Sequence, residues 1–101
     1  MYALQKRKNT GLLAKLWQFP NASGIMDAQQ ALKTIEHLHP LELLRQTDKK
    51  HIFTHIQWNM RGYYIEVAQQ CDDFSWFTRK QINEQIALPT AFRQFWEDNI
   101  F

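Results

Sequence analysis

Cysteine is almost missing from this chain of 101 residues, with Cys71 its only representative. That excludes an internal disulfide framework, and one thiol cannot by itself hold zinc or an iron-sulfur cluster. The expected compartment is the cytoplasm. Glycine and proline number three each, and neither an internal repeat nor a low-complexity segment interrupts the chain. No apolar run is long enough to span a membrane and no signal peptide is recognisable, so neither export nor a membrane partner is expected. Acids are lacking from the leading segment. The first is Asp27, so Lys6, Arg7, Lys8 and Lys15 give that segment a charge of about +4. The net charge of +2 names no partner, and the basic run suits either a solvated edge or a phosphate-facing patch.

What is present points to one folded domain. Apolar residues make up 45% of the chain, too many for a disordered segment, and about a hundred residues suffice for one core. The chain enters an element at once with Met1-Tyr2-Ala3-Leu4. We therefore expect residues 1–101 to be a single domain cut from a larger protein.

The organising stretch is HIFTHIQWNMRGYYIEV, from His51 to Val67. Ile52, Ile56, Trp58 and Met60 alternate with polar neighbours, as in a half-buried strand. Two residues break the alternation in opposite senses: Thr54 places a hydroxyl among apolar positions, and Phe53 a ring among polar ones. After Gly62 the parity reverses, which predicts a bulge or bend at Arg61 and Gly62. From the residues alone this is one long kinked strand or a hairpin arm.

Around it, Tyr2 to Lys6 reads as a short strand. Gly11 to Pro20, GLLAKLWQFP, is apolar enough to bury Leu12, Leu13, Leu16, Trp17 and Phe19. A loop follows at Asn21 to Gly24. Asp27 is placed to cap a helix whose Ala28, Ala31, Leu32, Ile35 and Leu38 recur at helical spacing, closed by Pro40. Leu41 to Thr47 suits a strand, and Asp48-Lys49-Lys50 a turn. Cys71-Asp72-Asp73 is turn-like, Phe74 to Phe77 a strand, and Thr78 a helix cap. A last helix should start near Pro89 and Thr90, with Phe92, Phe95 and Trp96 on one stripe. Strand, helix, several strands and helix, without regular alternation, make the class α+β.

Three stretches together resemble the C-terminal domain of MutY, the A/G-specific adenine DNA glycosylases that remove adenine mispaired with 8-oxoguanine. Gly11 to Pro20 is similar to that family's Gly-Leu-x-x-x-Leu-Trp-x-Phe-Pro segment. Phe53-Thr54-His55 stands where the family usually has Phe-Ser-His. Ala87-Leu88-Pro89-Thr90, followed by Phe92 and Arg93, resembles its closing Ala-Leu-Pro segment. The resemblance implies a Nudix-like fold related to MutT, with helices on a mixed sheet. It also implies a first strand that this chain starts too late to contain in full, which would leave the sheet edge open. It puts Phe53-Thr54-His55 in a loop joining two strands, and a turn there accounts for both parity exceptions.

A Nudix hydrolase needs clustered helix carboxylates, in an Arg-Glu-x-x-Glu-Glu pattern, to hold divalent metal on a pyrophosphate. The helix region offers only Asp27 and Glu36, so no catalytic residue and no metal ligand are assigned, and the fragment is expected to be non-catalytic alone. By resemblance, glycosylase chemistry and an iron-sulfur cluster belong to a separate N-terminal domain. This segment would need no cofactor and would serve base excision repair by recognising duplex DNA containing 8-oxoguanine, in a bacterial, nucleoid-associated setting. The candidate lesion contacts are Phe53, Thr54 and His55, and the candidate phosphate contacts are Lys6, Arg7 and Lys8. Without the resemblance, Phe53 reads as a core ring, Thr54 as a strand residue and His55 as an exposed side chain. The alternative function is a catalytically inactive Nudix-like module that binds a nucleotide or a protein.

Overall fold

Leu4, Ile82, Leu88, Phe92 and Trp96 form the core, and Tyr2, Trp17, Phe19, Trp58, Phe77 and Ile86 pack around it. The computed structural model describes residues 1–7 and 16–99. Its elements are β1 (Tyr2–Lys6), β2 (Trp17–Gln18), α1 (Ala28–Thr34), a 3-10 turn (Glu36–Leu38), β3 (Pro40–Phe53), β4 (Ile56–Val67), β5 (Ser75–Phe77), α2 (Arg79–Gln85) and α3 (Thr90–Glu97).

The strands form two sheets, one ordered β2-β1-β5 and the other the hairpin β3-β4. Every pairing among the described residues is antiparallel, where a mixed sheet was expected. Leu4 in β1 is fully buried, which pins the first sheet to the core. Tyr2 and Trp96 meet edge to face at 4.8 Å, as do Trp17 and Phe77 at 5.3 Å. Such ring pairs add about 0.5–1.5 kcal/mol each beyond the area they bury.

The helices start where side chains can satisfy their first amides. Asp27 accepts from the Gln30 backbone while Gln30 reaches back to the Asp27 backbone, and Thr78 and Gln81 repeat this exchange at α2. Pro89 precedes α3 as expected. The helix predicted to reach Leu38 ends early, since α1 stops at Thr34 and a 3-10 turn carries the chain to Leu38. His39, at φ 52, then reverses the chain into β3.

Two other expectations are corrected. Asp48-Lys49-Lys50 is strand, because its charges find partners across the structure: Asp48 sits opposite Arg61 in the ladder, and Lys49 pairs with Asp98 beside α3. Pairing outweighs the local turn preference. No bulge falls at Arg61-Gly62. The ladder is regular there, and its shifts lie on β3 between Pro40 and Glu42 and between Leu43 and Arg45. Gly62 is required for another reason: a Cβ on it would come within 2.6 Å of the Phe95 ring. Its lack of a side chain lets α3 lie against β4. Leu16, expected inside, is exposed, whereas Gln18 is buried and accepts from Arg7. Leu12, Leu13 and Lys15 lie outside the described residues.

Candidate nucleic-acid interface

The hairpin ends in a two-residue turn, Thr54 and His55, closed by the opposition of Phe53 and Ile56. Thr54 has φ 45, left-handed backbone that a tight hairpin turn readily gives to glycine or asparagine and that a β-branched residue enters at a cost. The turn explains both parity exceptions. It brings Phe53 onto the face of Trp58, since His51 opposes Trp58 and Phe53 lies two residues on. It leaves Ile52 on the other face, 61% exposed, while Ile56 at the closing position is 48% exposed.

Phe53 is half-buried between neighbours, its ring 4.4 Å from His51 and 4.7 Å from Trp58. Trp58 continues the row to Phe92 at 6.0 Å. The tip is thus an aromatic shelf that reaches back to the core, with Thr54 and His55 exposed at its end. Of the three residues singled out by motif, Thr54 and His55 are held out to solvent and Phe53 serves as their footing. His51 and Trp58 were not singled out. Their part follows once the turn is fixed at Thr54-His55, because strand register then sets who stands opposite whom.

Two of the three expected phosphate contacts are described. The Arg7 guanidinium lies 5.1 Å from the centre of Trp58 and 5.7 Å from that of Phe92 and donates to Gln18 Oε1 at 2.7 Å. Lys6 Nζ stands 5.3 Å from the Trp17 ring. Arg7 therefore adjoins the aromatic row that supports the tip, as cations over rings do. Lys8 lies outside the described residues.

Beside this row, ion pairs tie the hairpin together and to α3. Arg61 Nε donates to Asp48 at 2.8 Å, which holds the Asp48 carboxyl below its usual range and raises Arg61 in return. Lys49 hydrogen-bonds Asp98, and Arg45 adds attraction and donates to the Asp98 backbone at 3.0 Å; together they lower the Asp98 carboxyl. The Tyr64 hydroxyl donates to the Phe95 carbonyl, and burial, with Asp98 nearby, pushes the phenol up. A shallow open groove of about 440 Å³ runs past Ile25, Asp48, Lys50, Asn59 and Arg61. Two of its walls, Asp48 and Arg61, are already paired with each other.

The helix that would carry pyrophosphatase chemistry has none of the needed groups. Residues Ala28–Thr34 include no carboxylate, and the Asp27 side chain is spent on the Gln30 amide. Among the described residues one mixed set of metal-capable side chains is gathered elsewhere, His37, Cys71 and Asp73. No local spacing announces it, because His37 is brought to the other two only by the fold.

A small α+β domain with, among the described residues, antiparallel sheets, three helices and a capped helix ahead of a long hairpin has a Nudix-like architecture. The family model described as NUDIX domain matches residues 1–98, and the chain belongs to that family. Comparison with curated proteins gave no match.

Proposed function

We propose that this Nudix domain is the lesion-recognition module of a MutY-like adenine DNA glycosylase, reading 8-oxoguanine in duplex DNA with Phe53, Thr54 and His55. The observation that carries this reading is the hairpin tip: a hydroxyl residue in left-handed backbone, exposed at the end of a braced aromatic row. Strain kept at an exposed turn is a mark of a working site. Guanine N7 accepts a hydrogen bond, whereas 8-oxoguanine bears a hydrogen at N7 and an oxygen at C8. The Thr54 hydroxyl both donates and accepts, so it suits either new group. Phe53 offers a ring edge to a base step, and His55 meets a phosphate or steadies the turn.

In this reading the chain has no catalytic residue and no cofactor. An N-terminal catalytic domain of the same protein supplies the glycosylase chemistry and the iron-sulfur cluster, and the whole acts on DNA in the cytoplasm. No helix among the described residues is long and apolar enough to cross a membrane. Lys6, Arg7 and Lys8 supply phosphate contacts.

The alternative, an inactive Nudix module holding a nucleotide, would draw on Lys50 in the groove, since Arg61 there is engaged by Asp48. Titration with duplexes at several salt concentrations separates the two. A DNA reader loses affinity steeply as salt rises, because each phosphate contact releases counterions. Replacing Lys6 or Arg7 by glutamine should weaken damaged and undamaged duplexes alike and flatten that dependence. Affinity for a duplex that is indifferent to salt would contradict the proposal.

A further inference from the structure

The geometry points to a binding site for a zinc-class divalent metal formed by His37, Cys71 and Asp73, remote in sequence from the hairpin tip and independent of its function. One ligand atom from each lies within 4.8 Å of the others, and His37 Nε2 is 3.4 Å from Asp73 Oδ2.

The fold assembles the three from two segments. Leu38 is buried and anchors the 3-10 turn that presents His37. Beyond the hairpin ladder, Ala68 donates to the His39 carbonyl at 3.0 Å and Gln69 to the Leu38 carbonyl at 3.1 Å. These bonds lay the connection from β4 to β5 alongside the 3-10 turn. Trp76 Nε1 then donates to the Cys71 carbonyl at 2.9 Å, fixing the connection from its far side. Two backbone bonds and an indole therefore hold the ligand-bearing segments in register before any metal arrives.

The donor set selects the metal. Magnesium and calcium require oxygen ligands throughout, whereas a thiolate with an imidazole and a carboxylate suits zinc, and cobalt(II) as its spectroscopic substitute. With zinc bonds of about 2.0–2.3 Å, tetrahedral ligands stand roughly 3.4–3.6 Å apart. The His37–Asp73 separation already meets that. Rotation of exposed side chains supplies the rest, since His37 and Asp73 are 44% and 71% exposed. Three protein ligands leave the fourth position to water. Metal binding would clip the β4-β5 connection to the 3-10 turn, and the thiol would lose its proton on binding.

The test uses the reduced, chelator-treated protein. Cobalt(II) should bind one to one with a thiolate charge-transfer absorption, zinc should displace it, and excess magnesium should not. Cys71→Ser, His37→Gln and Asp73→Asn should each weaken binding at least about tenfold, while His39→Asn, which alters a nearby imidazole outside the set, should leave it unchanged. A second measurement needs no variant: zinc should slow alkylation of Cys71 in the unaltered chain. Absence of stoichiometric binding, cobalt affinity retained in Cys71→Ser, equal loss in His39→Asn, or an alkylation rate indifferent to zinc would each overturn the site.

Discussion

The two sheets of this domain use their aromatic residues in opposite ways. In the β2-β1-β5 half, Tyr2, Trp17, Phe19, Phe77 and Trp96 turn toward one another and toward Leu4 and Ile82. In the outer half of the β3-β4 hairpin the ring row runs outward from Phe92 through Trp58 to Phe53, with His51 beside Phe53 and opposite Trp58, and large apolar side chains remain in water at Ile52 and Ile56. One half closes its rings on the core; the other starts from the core at Phe92 and Trp58 and ends in apolar side chains left in water.

Substitution costs most in the core. Trp96 is 6% exposed, meets Tyr2 and Phe19, and donates its indole N–H to Asn83 at 2.7 Å. Trp96→Ala should therefore cost about 3–5 kcal/mol in chemical denaturation, and a loss comparable to a surface change would show that the core lies elsewhere. At the junction of the halves, Gly62→Ala pushes a methyl into the Phe95 ring. Its expected cost is about 1–3 kcal/mol, from displacing α3, and a neutral result would mean that Phe95 swings aside freely.

At the tip the sign reverses. Thr54→Gly relieves the left-handed backbone at φ 45 and should raise stability by about 1 kcal/mol, measured as a shift in denaturation midpoint, while preference for 8-oxoguanine is lost. A stabilised variant that still discriminates would separate strain from function. The smallest effect concerns pH. Lys49 and Arg45 keep the Asp98 carboxyl below its ordinary value, so its contribution is present above that ordinary value, about 4, and fades as pH falls through the lowered folded one. Lys49→Met should flatten the acid side of the stability profile, and an unchanged slope would remove Asp98 from the link between β3 and α3.

How much of this was readable depended on whether the deciding contact was local. Asp27 and Thr78 announce their helices because a cap and its partner lie three residues apart. The paired exceptions at Phe53 and Thr54, together with the family motif, placed the turn. By contrast, Asp48-Lys49-Lys50 has the composition of a turn, and only Arg61 and Asp98, distant in sequence, make it strand. Gly62 read as a bulge because the Phe95 ring that forbids a side chain comes from α3. The Arg7-Trp58-Phe53 row was invisible for the same reason: it joins three segments that only tertiary packing brings together.

The most direct test of lesion reading at the hairpin tip is the ratio of affinities for duplexes that differ only in 8-oxoguanine or guanine, compared between the unaltered protein and Thr54→Val. Valine keeps the β-branched shape and the strained turn and removes only the hydroxyl. Circular dichroism and denaturation establish that the fold is retained. If Thr54 reads the lesion, the variant loses about 1–3 kcal/mol of preference for 8-oxoguanine, on the scale of a lost base contact, with binding to undamaged DNA nearly unchanged. Equal weakening toward both duplexes, or an unaltered ratio, would contradict that reading.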